Sequence, residues 1–251
     1  MLWPAGLDIV LEAKSRRCEV IVSHKHKFIF LKVAKTAGTS VEIALSQHCG
    51  EADVITPISV DDEQIRRDLG FPCARNYRIP LHRYSRADWK NLLRKRKTKM
   101  RFYNHMPAVE ARRAVGEKVW NGYFKFCFER NPWDRTISQY FFRYRHEASR
   151  PSLSEFIESG NLERLKQTGS GIYSIDGRIA VDRVCFFENL EQELVEVCKG
   201  LPDHPGGLVL PRAKAGIRTD KRHYRELFSE PDRKAVAEFF ADEIALFGYE
   251  F

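Results

Sequence analysis

The amino-acid sequence predicts an α/β fold of three layers, with a central, mainly parallel sheet flanked by helices. Three strand-then-helix pairs carry that expectation. Phe28 to Val33 is an aliphatic and aromatic run that stops at a small-residue turn, Ala34 to Ser40, and passes into a helical pattern ending near Leu45. Tyr123 to Glu129 alternates and is rich in aromatics. Asn131-Pro132 then opens a long helix from Trp133 to about Arg145, with Asn131 as cap and Pro132 at the first helical position. Arg183 to Phe187 is the third strand and leads into a helix at Glu191 to Cys198.

The remaining elements are local. A short strand is expected around Glu19 to Val22. A turn and short helix follow between Thr56 and Leu69, where Ser59 is a cap ahead of Asp61, Asp62 and Glu63. The helical stretch AVEARRAVG comes after Asn104-His105-Met106-Pro107, with Pro107 in its first turn, so His105 sits in the entering loop. Pro151 to Gln167 reads as two short helices separated by Ser159-Gly160-Asn161, and Gly169 to Arg178 as a glycine-rich loop, either a surface loop, the first choice, or one bordering an acceptor site. Residues 200 to 220 form a proline- and glycine-rich basic loop carrying Arg212, Lys214 and Arg218. Two amphipathic helices, about 222 to 228 and 231 to 246, close the chain. The stripe Trp133, Ile137, Tyr140, Phe141 and Tyr144 recurs at helical spacing and is assigned to the core.

At 251 residues the chain is read as one domain, 1–251, with a basic insertion at about 75–101. No long uncharged apolar stretch suggests a membrane span. The first residues lack a basic start and are broken by Asp8 and Glu12, a poor secretory signal, so a cytoplasmic location is expected. Six cysteines are scattered without metal-ligand spacing and read as reduced thiols. A formal charge of +8 favours an anionic partner. The insertion interleaves Arg83, Arg86, Lys90, Arg94, Lys95, Arg96, Lys97, Lys99 and Arg101 with Tyr77, Tyr84 and Trp89. It has three readings: a solvated or flexible face, a surface for an acidic or polyhydroxylated acceptor, and, last, a nucleic-acid site, for which no recognisable motif is present.

The chemistry concentrates in the first strand-to-helix turn. Gly38 allows close backbone approach, the hydroxyls of Thr39 and Ser40 sit in the helix's first turn, and Lys35 adds a full charge where amides and the positive end of the dipole converge. This is an anion cradle. It is not the triphosphate loop G-x-x-x-x-G-K-[ST], because its lysine precedes the only glycine. Lys32 to Ser40 instead resembles the 5′-phosphosulfate loop of sulfotransferases that use PAPS (3′-phosphoadenosine 5′-phosphosulfate). FKFCFERNPWDRTISQY, residues 124 to 140, resembles the 3′-phosphate motif of the same family, particularly its carbohydrate branch. The segments HMPAVEARRAVGEKVWNGYFKF, CFFENLEQEL and HYRELFSEPDRKAVAEFFADEIALFGYEF extend that likeness. The loop departs from the family's usual PKTAGTS at Ala34, and Glu129 stands where an apolar residue usually precedes RNP.

The resemblance implies a P-loop-like fold and sulfuryl transfer from PAPS to a hydroxyl, most naturally of a carbohydrate. Lys35, Thr36, Ala37, Gly38, Thr39 and Ser40 would hold the 5′ end, and Arg130 and Ser138 the 3′-phosphate. Lys214 and Arg218 of the late basic loop would close over that phosphate. No metal is expected to take part. For the base the resemblance points to His105, with Glu42, on the first turns of the helix after the loop, as the rival. Two other functions stay open: a nucleotide kinase-like phosphotransferase, and a non-enzymatic module binding a polyanion or nucleic acid. The acceptor and the oligomeric state are not written in the sequence.

Overall fold

The computed structural model describes residues 20–251 apart from 104, 204, 205, 212, 214 and 215. Its strands are β1 (Val20–Ser23), β2 (Phe28–Leu31), β3 (Val54–Ile55), β4 (Phe124–Glu129), β5 (Ser174–Ile175), β6 (Arg178–Ile179) and β7 (Arg183–Phe186). Its α-helices are α1 (Gly38–Ser46), α2 (Val60–Asp68), α3 (Arg86–Lys95), α4 (Ala108–Val115), α5 (Glu117–Gly122), α6 (Pro132–Arg143), α7 (Leu153–Phe156), α8 (Leu162–Gln167), α9 (Ser170–Tyr173), α10 (Leu190–Gly200), α11 (Glu230–Phe239) and α12 (Ala241–Phe247).

Five strands form the central sheet in the order β3-β1-β2-β4-β7. β2 pairs parallel with β4 and β4 with β7, while β1 runs antiparallel to both β2 and β3. Four of the five strands therefore point the same way. The strands are buried on both faces, and alternation splits their side chains into two cores. Phe28, Phe30, Phe126 and Phe128 pack with Val41 and Leu45 of α1 and with Leu194 and Val197 of α10. Ile29, Leu31 and Cys127 pack on the other side with Ala108 and Ala111 of α4 and Trp120 of α5. That is the expected three-layer arrangement. A third cluster, around Trp133, Phe156, Leu165, Val236 and Phe240, joins α6 to α7, α8 and α11.

The differences from expectation have local causes. The first strand ends at Leu31, because at Lys32 and Val33 the chain leaves the ladder for the turn. The two-residue β3 and the six-residue α5 are too short to leave a periodic signal. Pro107 is the residue before α4 and not its first helical position; it has extended backbone there. Gly169 to Arg178 is a helical turn, α9, and the hairpin of β5 and β6, closed by Asp176 and Gly177 at positive φ. The break at Ser159-Gly160 is as expected: both leave helical geometry, and Gly160 takes φ 77°. The segment 75–101 is tied to the body. Its backbone pairs Ile55 with Arg75 and Arg78 with Met100, and it contains α3, capped by a reciprocal Ser85 and Asp88 box.

The expected strand start at Glu19, and Cys18, Lys214 and Arg212, lie outside the described residues. Among the described cysteines Cys49, Cys127, Cys185 and Cys198 are buried. Burial pushes the Cys49 and Cys185 thiols up to about 12, so they pack as small apolar groups. No helix among the described residues is long and apolar enough to cross a membrane.

Candidate active site

β2 and β4 lie side by side and parallel, so the turns that follow them, into α1 and α6, emerge at the same end of the sheet. Between these turns is a cavity of about 470 Å³. Of the expected residues, Lys35, Ala37, Gly38, Thr39, Ser40, His105, Arg130 and Ser138 all line it.

The first turn is shaped by backbone that few side chains tolerate. Lys35 and Ala37 both take the left-handed conformation, at φ 68° and 56°. Gly38 is required for a different reason: a Cβ there would lie 2.5 Å from Cγ of Lys32, which crosses beneath it. Lys32 is buried, its ammonium donating to the Thr39 hydroxyl at 2.8 Å and lying 3.4 Å from Glu42. α1 begins with no side-chain cap and no acid in its first turn, which leaves its N-terminal end suited to an external anion. The Lys35 ammonium stands 3.9 Å above the Phe142 ring, across the cavity. Ser40 Oγ accepts from the Ala213 amide at 3.1 Å, so the late basic loop packs against this turn.

The second turn presents a guanidinium. Arg130 Nη1 donates to the Lys35 carbonyl at 2.9 Å, Nε and Nη2 hold Asp134, and the plane lies 4.0 Å from the Phe187 ring centre. Each terminal nitrogen carries two hydrogens, so one on Nη1 and one on Nη2 are left for an anion. Burial lowers the Arg130 pKa, and Asp134 works against that. Glu129 does not compete for the cavity. Its carboxylate turns to the other side, accepting from Arg135, from the Tyr173 hydroxyl at 2.9 Å and from the Arg130 amide. Alternation along β4 accounts for that orientation.

His105 enters from the loop before α4 at φ 49°, and its Nδ1 is 2.9 Å from the Lys32 carbonyl. A carbonyl only accepts, so Nδ1 carries the proton and Nε2 is the basic nitrogen. Arg218 is not in the wall, but its Nη1 lies 3.6 Å from the same Asp134 that holds Arg130.

Thr36 and Glu42 also lie outside the wall. The Thr36 hydroxyl is turned inward to the Val33 carbonyl at 3.1 Å. Glu42 is fully buried behind the loop, between Lys32, Arg66 and the Thr56 hydroxyl, and is not in the cavity wall. Burial pushes its carboxyl up, while the two cations work against the shift. A carboxylate so enclosed does not meet an acceptor; sequence spacing had placed it on the right helix but could not tell which side of it faces the sheet.

Lys32, Phe142, Arg164, Thr168, Phe187 and Ala213, to which sequence reasoning assigned no individual role, also line the cavity. Arg164 and Thr168 come from α8 and the residue after it. There the Thr168 carbonyl accepts from the Ala34 amide at 2.9 Å, a long-range contact without a sequence signature.

These features define an α/β protein with a cavity at the carboxyl end of its central strands, lined by a glycine-dependent turn and a guanidinium. The comparisons name the class. The sulfotransferase family profile matches residues 19–179, and the chain belongs to that family. It is also 35% identical over 104 residues to an uncharacterised protein of Archaeoglobus fulgidus, a match covering 39% of this chain and 85% of that protein. No solved structure matches it.

Proposed function

We propose that the protein transfers a sulfuryl group from PAPS to a hydroxyl of a carbohydrate. The observation that carries this reading is the 2.9 Å bond from Arg130 to the Lys35 carbonyl, which sets two anion-binding turns side by side on one cavity. The residues present suit a nucleotide with a phosphate at each end. The α1 turn offers amides, hydroxyls and Lys35 to a 5′-phosphosulfate; Arg130 and Ser138 suit a 3′-phosphate. Arg218 is a positioning residue, steadying Asp134 and through it Arg130. Lys214 is proposed on sequence alone.

When bound, PAPS supplies a sulfuryl group whose bond to the 5′-phosphate oxygen breaks as the acceptor oxygen bonds to sulfur. Lys35 and the α1 amides stabilise the negative charge that gathers on the departing phosphate; this is electrostatic preorganisation. His105 Nε2 takes the acceptor's proton, its ring held in the required tautomer by the Lys32 carbonyl. Lys32 also holds Thr39, so one residue orients both the base and the cradle. Glu42 neutralises Lys32 and Arg66 and is structural.

The test is to incubate the protein with sulfur-labelled PAPS and a panel of glycans and small hydroxylated compounds. Label in a saccharide supports the reading. Label confined to non-carbohydrate acceptors would restrict it to sulfuryl transfer, and nucleotide binding without any transfer would remove it.

A further inference from the structure

The segment from Arg75 to Arg101 contributes no residue to the wall of the donor cavity. Yet it holds eleven lysines and arginines against one acid, Asp88, a balance of +10 where the whole chain has +8. The rest of the chain is therefore slightly acidic, and the positive field originates in this one segment.

The structure shows where that charge is presented. Between the segment and α4 lies a second cavity, of about 570 Å³, whose lining includes Arg83, Arg101, Arg113, Tyr103, Met106 and Glu110. Arg101 is fixed there by two bonds to the Ala114 carbonyl. Burial, and next the like charge of Arg83, lower its pKa, as happens when guanidinia share a site. Glu110, the acid of the lining, is engaged by the Tyr103 hydroxyl. Tyr103 and Met106 flank His105 in the chain, and His105 lines the donor cavity. The groove and the donor cavity are thus walled by the same short stretch of chain, residues 103–106. Tyr84 and Trp89, the aromatics that would serve as base-stacking platforms, pack edge-on against each other at 62° outside the groove.

We propose that this groove is the acceptor subsite and that the acceptor is an anionic saccharide. Arg83, Arg101 and Arg113 hold its carboxylate or sulfate while its hydroxyl reaches His105. The inference rests on the sulfuryl-transfer reading above. Guanidinium forks suit planar and tetrahedral oxyanions alike, and Tyr103, Ile79 and Pro80 offer apolar surface to a sugar ring.

The experiment uses the full chain, labelled PAPS and size-matched saccharides that are neutral, carboxylated or sulfated. The acidic saccharides should have KM values at least about tenfold below the neutral one, rising steeply with salt. Arg83→Gln and Arg113→Gln should each raise the acidic KM about tenfold relative to the neutral KM, with affinity for PAP (adenosine 3′,5′-bisphosphate) unchanged. Equal KM values for neutral and acidic saccharides, or silent variants, overturn the inference without touching sulfuryl transfer. Should no saccharide be labelled, titration of the same saccharides into PAP-loaded protein decides: acid-dependent binding lost in both variants supports the subsite. Its absence, or tighter binding of a DNA oligonucleotide, overturns it.

Discussion

The two turns that face the donor cavity follow neighbouring parallel strands and enter helices of similar length, yet they prepare for an anion in opposite ways. The turn into α1 leaves the helix end open: no side chain caps it and no acid sits in its first turn. The turn into α6 closes its helix. Asn131 accepts from the Trp133 amide, Pro132 occupies the first helical position, and Asp134 stands in the first turn. Pro132 has no amide hydrogen and the Trp133 amide is taken by Asn131, so fewer amides of α6 are open to an anion, and the proposed site there relies chiefly on the Arg130 side chain. Under the proposed function one turn would bind with backbone and dipole, the other with a guanidinium. The difference matches what each end of the proposed donor needs: charge that develops during reaction at the 5′ end, and static recognition at the 3′ end.

The largest effects should come from breaking the α1 side. Lys35→Ala should lower kcat about 10²- to 10³-fold, measured with labelled PAPS at saturating acceptor. His105→Ala should lower kcat by about 10²- to 10⁴-fold with little change in PAP affinity, since it acts on the acceptor. If Glu42→Gln loses turnover without losing stability while His105→Ala keeps it, the assignment of the base is reversed. Gly38→Ala must displace Lys32 or the loop and should weaken PAP binding by calorimetry.

Stability sharpens the contrast on the other side of the loop. Glu42→Gln removes the buried carboxylate that Lys32 and Arg66 share, while Arg66 keeps Glu63, and should cost about 3 kcal/mol in denaturant unfolding. Its pH dependence has a definite sign. A carboxyl whose folded pKa is raised contributes stability below the ordinary carboxylate range and loses it as pH rises through the raised value. The gap between wild type and Glu42→Gln should therefore narrow with rising pH; a widening gap would show that Lys32 and Arg66 outweigh burial. Ser138→Ala removes one hydroxyl and should weaken PAP binding the least, by about 1 kcal/mol.

Much of this was legible in the chain. The three strand-to-helix pairs appear at their expected places because apolar runs and caps such as Asn131 act locally. The two turns that line one cavity were readable for the same reason, each being a continuous motif. What sequence did not disclose is what depends on distant partners. Nothing near Thr168 shows that its carbonyl meets Ala34, nothing near Lys32 shows that it runs under Gly38, and the burial of Glu42 depends on Arg66 and Thr56 from another element. Glu129, which departs from the apolar residue usual before RNP, pairs with Arg135 of the following helix.

The central claim is that the two turns hold opposite ends of one nucleotide, and calorimetry with PAP and 5′-AMP tests it most directly. Arg130→Gln should weaken PAP about ten- to a hundredfold and leave 5′-AMP unchanged, because 5′-AMP lacks the 3′-phosphate; Lys35→Ala should weaken both. Equal losses for both nucleotides in Arg130→Gln, or no binding of either by the wild-type protein, would contradict the account.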